Sequence, residues 1–217
     1  PGQTLGLVGR VGSGKTTIIQ LLLREFDNYE GKITLNGHDI REIPLNVLLR
    51  QISYVPQNNY LFSTSIQNNI SFSQIDADNN QVVEAAKKSD LHNDVLQMPC
   101  AYQTLVGENG ISLSGGQKQR MSIARALLKH SQILILDDAL SPVDAKTENE
   151  ILKSLKKERK GKTTLIATHR LTAVKNADLI LVLKNGRIIE RGSHDDLLQE
   201  NGWYADMWRR QELEEKV

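Results

Sequence analysis

The chain has 217 residues, of which 39% are hydrophobic and 24% are charged, a composition that suits one sizeable globular domain and argues against a disordered chain. Lys and Arg number 27 against 26 for Asp and Glu, so the chain lacks the basic excess that is typical of a dedicated nucleic-acid surface. Cys100 is the only cysteine, which excludes an internal disulfide framework and a Cys-x-x-Cys metal site.

The first predicted elements are a strand, a glycine-rich loop and a helix. Leu5–Val8 is a short apolar run that predicts a strand, and the pattern from about Lys15 to Arg24 predicts a helix. The residues that join them match the pattern G-x-x-x-x-G-K-[ST] and read Gly9-Arg10-Val11-Gly12-Ser13-Gly14-Lys15-Thr16. A strand before this pattern and a helix after it are the flanks that a phosphate-binding loop (P-loop) requires.

The loop predicts a site for the phosphates of ATP. Its glycines let backbone N–H groups face an anion, and the N-terminus of the following helix adds positive potential. Lys15 supplies a positive charge for the β- and γ-phosphates, and the hydroxyl of Thr16 reaches Mg²⁺. The predicted ATP-binding residues of the loop are Gly9, Arg10, Val11, Gly12, Ser13, Gly14, Lys15, Thr16 and Thr17.

After the first helix, strand patterns give way to a helical region. Strands are predicted at Lys32–Leu35, which ends at the turn Asn36-Gly37, and at Ile52–Val55. From about Gln74 to Ile111 the pattern is polar and helical, which predicts a helical insert. The apolar face of this insert contains Val82, Ala85 and Ala86.

Strands return in the second half of the chain. They are predicted at Ile133–Leu136, Thr164–Ala167 and Leu179–Leu183, and the dipeptide Asn185-Gly186 predicts a hairpin after the last of them. Ser193 begins a capping box for a short helix, and the tail from Trp203 to Glu215 is predicted to be helical with Met207 and Trp208 near its inner face. The alternation of strands and helices predicts an α/β fold with a mostly parallel sheet.

Two more segments suit phosphate chemistry. Asp137 ends an apolar strand, and a carboxylate at that edge of a parallel sheet can hold Mg²⁺ near a P-loop. Small residues precede an amphipathic helix that carries Met121, Ala124 and Leu128 on one face; they read Leu113-Ser114-Gly115-Gly116-Gln117. This second helix N-terminus also favours a phosphate, although a plain loop with a serine N-cap is the alternative interpretation.

These motifs, together with Gln57 and His169, occur in the order found in the ATP-binding cassette (ABC) family, and the chain resembles that family from Gly9 to about Gly192. The resemblance implies a P-loop NTPase fold with a RecA-like core and an inserted helical subdomain. We expect the core at about residues 1–73 and 130–217 and the helical subdomain at about 74–129.

The resemblance also implies how the site residues work. Two such domains pair head to tail, and each ATP lies between one P-loop and the other domain's Ser-Gly-Gly segment, here called the signature (Leu113–Gln117). Gln57 corresponds to the glutamine that senses Mg²⁺, so the implied metal-binding residues are Thr16, Gln57 and Asp137. His169 corresponds to the histidine that contacts the γ-phosphate, and Asp144 belongs to the segment that crosses to the partner domain.

Further segments resemble the exporter branch of the family. They are Leu61–Ser63, with the following Asn69-Ile70, and Thr104–Gly110, which is similar to the exporter segment TxVGExG. The implied function is export of drugs or lipids, driven by Mg²⁺-ATP at the cytoplasmic face of the cell membrane. The implied partners are a transmembrane domain, expected N-terminal on the same polypeptide, and a second ABC subunit.

The sequence departs from the family pattern beside Asp137. Hydrolysing cassettes usually place Glu next, to polarise the attacking water, whereas this chain has Asp138, whose carboxylate reaches about 1.5 Å less far. The loss of a positioned base typically costs roughly 10²–10⁴-fold in rate, so Asp138 predicts a degenerate site, as in one subunit of heterodimeric bacterial exporters. Pro142 also departs from the usual pattern and stiffens the segment before Asp144.

Three alternative functions compete with an exporter ATPase. A regulatory module that binds ATP with little hydrolysis is favoured by Asp138. A soluble DNA-repair type of ABC ATPase is disfavoured by the near-zero net charge and the exporter-like segments. A small-molecule kinase is disfavoured by the signature, which such kinases do not need.

Overall fold

The computed structural model describes residues 2–107 and 110–214. Glu108 and Asn109, which belong to the predicted exporter segment, lie outside the described residues. The described residues form two compact units. Those within Pro1–Ile52, Gln132–Asp138 and Gly161–Val217 make up the first unit, and those within Ser53–Ser131 and Ala139–Lys160 make up the second.

Eight strands are found among the described residues. Their bounds are β1 Thr4–Val8, β2 Thr34–Leu35, β3 His38–Asp39, β4 Ile52–Val55, β5 Ile133–Asp137, β6 Thr163–Thr168, β7 Leu179–Lys184 and β8 Arg187–Gly192. Six of them form one sheet in the order β4-β5-β6-β1-β7-β8, and β2 pairs with β3 in a separate hairpin. The sheet is mostly parallel, as predicted, because β1 runs parallel to both β6 and β7, β5 runs parallel to β6, and β8 is antiparallel to β7.

Helices connect and flank these strands. Their bounds are α1 Lys15–Leu22, α2 Leu45–Arg50, α3 Ile66–Ser71, α4 Asn79–Lys88, α5 His92–Leu96, α6 Gly115–Leu128, α7 Ala145–Glu158, α8 His194–Glu200 and α9 Trp203–Glu214. Short 3₁₀ helices lie at Ala101–Gln103 and Leu171–Val174. Within residues 2–107 and 110–214, no helix has the length and apolarity needed to cross a membrane.

The register of the sheet brings three strand ends to one edge. Val8 pairs with Thr168, and Asp137 pairs with Ala167, so β1, β5 and β6 all end at the same level. The P-loop follows β1, Asp138 follows β5, and His169 follows β6. Parallel strands with crossover helices therefore gather residues that lie up to 160 positions apart in the sequence.

The core of the first unit consists of the apolar strand residues. Leu134, Ile135 and Leu136 in β5 are at most 1% exposed, and Ile180 and Val182 in β7 are fully buried. These strands are apolar on both faces because helices cover both sides of a parallel sheet. The predicted hairpin is confirmed, and its turn residues Asn185 and Gly186 have φ of 50° and 73°.

The predicted C-terminal helices are confirmed. Ser193 caps α8 through a capping box with Asp196, as predicted. The tail is helical as predicted: Met207 and Trp208 are half-buried, and the ring of Trp208 packs against that of His194 with 4.5 Å between the centroids, while Tyr204 and Ala205 are fully buried. Tyr204 can be fully buried because its large apolar ring ends in a hydroxyl that finds a buried partner.

The second unit is mostly helical. Its core contains the predicted apolar faces of α4 and α6, including Val82, Ala86, Met121, Ala124 and Leu128. Helix α3 begins at Ile66 and α7 follows Asp144. The proposed subdomain bounds of 74–129 remain a prediction.

Candidate nucleotide site

The P-loop occupies the connection between β1 and α1. Gly9 has φ of 156°, and a Cβ added there would lie 2.4 Å from the carbonyl oxygen of Leu183, so only glycine fits. Gly14 has φ of 106° and is the N-cap of α1, with no side chain capping the helix and no acidic residue in its first turn. The first-turn N–H groups, which have no acceptor within the helix, are thus available to an anion.

Ser13 contributes a buried hydroxyl to this loop. The backbone N–H of Ser13 donates to the carbonyl of Arg10 at 3.1 Å, and Gly186 N–H donates to the carbonyl of Ser13 at 3.0 Å. The side chain is only 5% exposed, and its Oγ has no hydrogen-bond partner among the described residues. Because a buried hydroxyl without a partner is costly, its position in the loop fits a phosphate oxygen as the acceptor.

Lys15 lies across its own loop. Its Nζ donates to the carbonyl of Gly9 at 2.7 Å and to that of Arg10 at 3.2 Å. Burial lowers the pKa of Lys15, while the charges of Asp138 and Asp137 raise it and oppose that shift. The ammonium group is thus held at the loop, with two carboxylates close enough to act on its charge.

Thr16 and Asp137 form a pair of oxygen ligands. The hydroxyl Oγ1 of Thr16 donates to Oδ1 of Asp137 at 3.3 Å, and Asp137 is 3% exposed. Mg²⁺ prefers hard oxygen ligands, and proteins usually bind it through one or two carboxylates together with substrate phosphates. A hydroxyl and a single carboxylate suit a cation that is shared with phosphate oxygens. No group of three or more His, Cys, Asp or Glu suited to a metal occurs in the part of the chain that is described.

Asp138 contacts His169 directly. The ring nitrogen Nδ1 of His169 lies 2.9 Å from Oδ1 and 3.0 Å from Oδ2 of Asp138. Asp138 has φ of 50°, and its N–H donates to the carbonyl of Ala167 at 2.7 Å, which fixes the backbone at the end of β5. Thr168 adds a bond of 3.3 Å from its Oγ1 to Oδ1 of Asp138. Because Nδ1 is engaged by the carboxylate, Nε2 is the ring nitrogen left for a further contact.

The signature lies at the N-terminus of α6 in the second unit. Ser114 Oγ accepts from the N–H of Gln117 at 3.2 Å, and Gln117 Oε1 accepts from the N–H of Ser114 at 3.0 Å. The serine N-cap is therefore observed, and it leaves the exposed Ser114 and Gly115 at the first turn of the helix. A Cβ on Gly116 would lie 3.2 Å from the carbonyl oxygen of Pro142, so the two segments pack closely.

The signature helix is also tied to a neighbouring helix. Gln117 Nε2 donates to Oδ2 of Asp94 at 2.9 Å, and Arg120 forms an ion pair with the same oxygen at 2.8 Å. Asp94 lies in α5, so its carboxylate links α5 to the first turns of α6.

The remaining predicted residues also belong to the second unit. Gln57 is exposed and lies two residues after the end of β4. Asp144 is the N-cap of α7, and its carboxylate accepts from the N–H of Thr147 at 3.0 Å, a bond that lowers the pKa of Asp144. The structure thus brings together the P-loop, Asp137, Asp138 and His169 in one unit, and Gln57, the signature and Asp144 in the other.

Gln119 is a site neighbour that the sequence interpretation missed. It is 1% exposed, and its amide donates to the carbonyl of Pro56 at 3.5 Å and contacts the side chain of Asn59. It therefore connects α6 to the segment that contains Gln57. A polar residue on the buried face of an amphipathic helix was the available sequence indication.

Comparisons with known proteins agree with this geometry. The family model for "ABC transporter" matches residues 1–141. The probable multidrug resistance ABC transporter ATP-binding/permease protein YheI of Bacillus subtilis is 52% identical over 212 residues, which cover 98% of this chain and 36% of that protein. An ATP-dependent lipid A-core flippase of Saccharophagus degradans is 46% identical over 97% of this chain and 36% of its own length.

Solved structures agree as well. A bacterial Atm1-family ABC exporter with ATP bound superposes with a TM-score of 0.93 at 41% identity, over 97% of this chain and 37% of that one. This agreement confirms the predicted α/β P-loop NTPase fold. The chain spans only about a third of the length of the curated relatives that it matches.

Proposed function

The chain belongs to the ABC transporter family, and from that premise we propose that it is the ATP-binding cassette of an exporter, which binds Mg²⁺-ATP and drives transport by pairing with a second cassette. The observation that carries this proposal is the pairing of the Thr16 hydroxyl with the Asp137 carboxylate, 3.3 Å apart beside the P-loop. A hydroxyl and a carboxylate beside a cluster of backbone N–H groups suit a magnesium-bound triphosphate.

Each residue has a specific role in the proposed site. The P-loop N–H groups and Lys15 hold the β- and γ-phosphates, and Thr16 and Asp137 hold the cation. When bound, Mg²⁺ would neutralise charge on the phosphate oxygens. His169, held at Nδ1 by Asp138, presents Nε2 to the γ-phosphate. Gln57 is proposed to sense the same cation from its own segment.

The signature is proposed to act on the partner's nucleotide. In a head-to-tail pair, the exposed Ser114 and Gly115 face the ATP bound by the other cassette. The helix N-terminus of α6 then stabilises the γ-phosphate of that ATP. Asp144 caps α7 directly beyond Pro142, which fixes the crossing segment next to the signature.

An exporter with a membrane part is supported by the relatives. One is a probable multidrug resistance ATP-binding/permease protein and another is a lipid A-core flippase. Because the chain spans about a third of their lengths, we propose that a transmembrane domain lies on the same polypeptide and that the cassette works at the cytoplasmic face of the membrane. Drugs or lipids are the proposed substrate classes.

The site on this chain is proposed to be slow. Both carboxylate oxygens of Asp138 lie within 3.0 Å of His169 Nδ1, so this short side chain orients the histidine and does not reach further toward an attacking water. The same contact supports a second candidate, a regulatory site that holds ATP with little turnover. In both cases the pair would be a heterodimer in which the other subunit carries the faster site.

Replacement of Lys15 by alanine tests the nucleotide site. Loss of a charge-assisted bond is worth about 1.5–3 kcal/mol, so we expect ATP affinity to fall roughly 10- to 100-fold. Isothermal titration calorimetry with Mg²⁺-ATP measures this change. Lys153→Ala, which removes an exposed lysine of α7, serves as the control and should bind ATP as the parent does. Equal affinity in the parent and the Lys15 variant would overturn the assignment.

A further inference from the structure

One side chain of the C-terminal helix holds the loop that carries His169. Gln211 of α9 donates from Nε2 to the carbonyl oxygen of His169 at 2.8 Å. Its Oε1 accepts from the backbone N–H of Leu171 at 2.9 Å. A single amide group therefore bonds to the backbone on both sides of Arg170, about 40 residues earlier in the sequence.

The bond to Leu171 meets a specific need of the backbone. Leu171 is the first residue of the 3₁₀ helix Leu171–Val174. The N-cap residue of this helix is Arg170, whose side chain makes no capping hydrogen bond to it. The first N–H groups of a helix have no acceptor inside the helix, and Leu171 is fully buried. Gln211 supplies the acceptor, and its donor group then reaches the carbonyl of His169.

Helix α9 is itself firmly fixed at its N-terminus. Both carboxylate oxygens of Glu190, in β8, accept from the first two N–H groups of the helix, from Trp203 at 2.6 Å and from Tyr204 at 3.0 Å. Tyr204 is fully buried, and its hydroxyl lies 2.9 Å from Nδ1 of His194 in α8. The N-terminus of α9 is therefore held in place. Gln211 lies two turns further along the helix, where it reaches the loop that carries His169.

The side chain of His169 is held separately. Asp138 contacts its Nδ1 at 2.9 Å, and Thr168 Oγ1 accepts from the N–H of Arg170 at 3.0 Å. The ring is thus oriented from the end of β5, while its own carbonyl is held from α9. Two bonds from different elements fix both the ring and the backbone of one residue.

We propose that Gln211 is a positioning residue for His169, which sets the distance between the histidine ring and the γ-phosphate. This inference rests on the proposed function, in which His169 meets the γ-phosphate of ATP bound by the P-loop of this chain. Gln211 makes no contact with nucleotide in this proposal. Its effect reaches the phosphate only through the backbone of His169.

The proposed role predicts that loss of Gln211 lowers the affinity for ATP but not the affinity for ADP. ADP has no γ-phosphate, so displacement of His169 leaves its binding unchanged, whereas the binding of ATP loses one contact. The affinity ratio of ATP to ADP therefore isolates the position of His169, and it requires no hydrolysis. A purely structural role for Gln211 would weaken the binding of both nucleotides together and leave their affinity ratio unchanged.

The experiment uses the full-length protein that contains this chain, with the P-loop lysine of any second subunit replaced so that only sites built on this P-loop bind nucleotide. Gln211→Met removes both hydrogen bonds at similar volume, and Gln211→Glu keeps an acceptor for Leu171 but loses the donor to His169. We expect both variants to lower the ATP-to-ADP affinity ratio about three- to tenfold with ADP affinity unchanged. Gln211→Glu, which keeps the acceptor for Leu171, should also keep the parent thermal midpoint, whereas Gln211→Met should lower it because the buried N–H of Leu171 loses its partner. Gln199→Ala, an exposed glutamine of α8, is the matched control and should keep the parent ratio.

His169→Ala separates the two proposals. A lowered ratio in His169→Ala, with no further decrease in the double variant with Gln211→Met, is the result that supports the positioning role. An unchanged ratio in His169→Ala would overturn the proposed contact of His169 with the γ-phosphate. A lowered ratio in His169→Ala beside a parent-like ratio in Gln211→Met would overturn the role of Gln211 alone, as would an equal loss of ADP affinity.

Discussion

At the scale of single residues, the two adjacent carboxylates at the end of β5 have different surroundings. Asp137 is 3% exposed and meets the hydroxyl of Thr16, whereas Asp138 turns to φ of 50° and meets His169. One carboxylate therefore suits a cation and the other suits an imidazole. We expect the reach of the second carboxylate to limit the rate at which the proposed site hydrolyses ATP.

Replacement of Asp138 by glutamate tests that reach. The extra methylene extends the carboxylate by about 1.5 Å, and a misplacement near 1 Å can cost roughly 100-fold in rate. We expect Asp138→Glu to raise turnover at the site of this chain about ten- to 100-fold, measured as phosphate release from the assembled transporter with the catalytic carboxylate of the other site removed.

Asp138→Asn is the matched control for the glutamate variant, because it keeps the shorter length and removes the charge. It should show no gain in turnover. If Asp138→Glu also shows no gain, side-chain reach does not limit the turnover rate. Pro142, which stiffens the following segment, is then the residue to vary next.

At the scale of elements, the sequence predicts what is local and misses what depends on register or on distant partners. The P-loop lies in eight consecutive residues, so its pattern is visible without a fold. The patterns of β4 and β5 also lie in short consecutive runs, and both strands are found where predicted. The contact between Asp138 and His169, in contrast, depends on the pairing of β5 with β6 across 31 residues.

Three helices and one short strand were also missed for physical reasons. Helix α3 has six residues and begins at a serine cap, and α2 follows Pro44, so neither offers enough turns for a helical periodicity. Helix α7 has 14 residues with a mostly polar surface, and the cap at Asp144 was its clearest sequence indication. Strand β3, His38–Asp39, follows the turn at Asn36-Gly37 but has only two residues, too few for a recognisable strand pattern.

The packing of α8 against α9 makes a pH-dependent prediction. Burial lowers the pKa of His194 below its ordinary value of 6.5, the charge of Lys175 lowers it further, and Asp195 and Glu212 oppose the shift. In the unfolded segment the histidine takes up a proton as the pH falls through about 6.5, whereas in the folded protein it does so only at lower pH. The unfolded state then binds more protons, so stability is complete above about pH 6.5 and decreases as the pH falls toward the folded pKa.

Hydrogen exchange of the amides of α9 measures this effect. We expect protection, corrected for intrinsic exchange, to decrease between pH 7.5 and pH 5.5 in the parent and to change less in His194→Asn. Tyr204→Phe removes the hydroxyl beside His194 and should cost about 1 kcal/mol at pH 7.5 while keeping the pH dependence. The same decrease in parent and His194→Asn would show that another group titrates.

At the scale of the whole molecule, the proposed head-to-tail pair places the P-loop and the signature of this chain at two different ATP molecules. In this proposal the P-loop and Asp138 act on one ATP, and the signature acts on the ATP of the partner. This chain has a full signature but a shortened carboxylate at its own site. We therefore propose a division of labour, in which its own site holds ATP and keeps the pair together, and its signature completes a fast site on the other subunit.

Two substitutions on this chain should then lower total ATP hydrolysis to very different extents. Gly115→Asp places a negative charge where the signature meets the partner's γ-phosphate, and the structure has room for it, because a Cβ there would lie 4.0 Å from Pro142 Cβ. The loss of favourable electrostatics at a transition state costs roughly 10²–10³-fold, so we expect Gly115→Asp to remove most ATP hydrolysis by the heterodimer. Asp138→Ala changes only the slow site and should lower total hydrolysis less than about twofold, since that site contributes little.

Gly115→Ala, which adds a methyl group without charge, is the control and should retain more activity than Gly115→Asp. Steady-state ATPase measurements on the purified heterodimer, with one substitution at a time, decide the matter. If Asp138→Ala abolishes turnover while Gly115→Asp leaves it intact, this chain carries the main catalytic site and the proposed division is reversed.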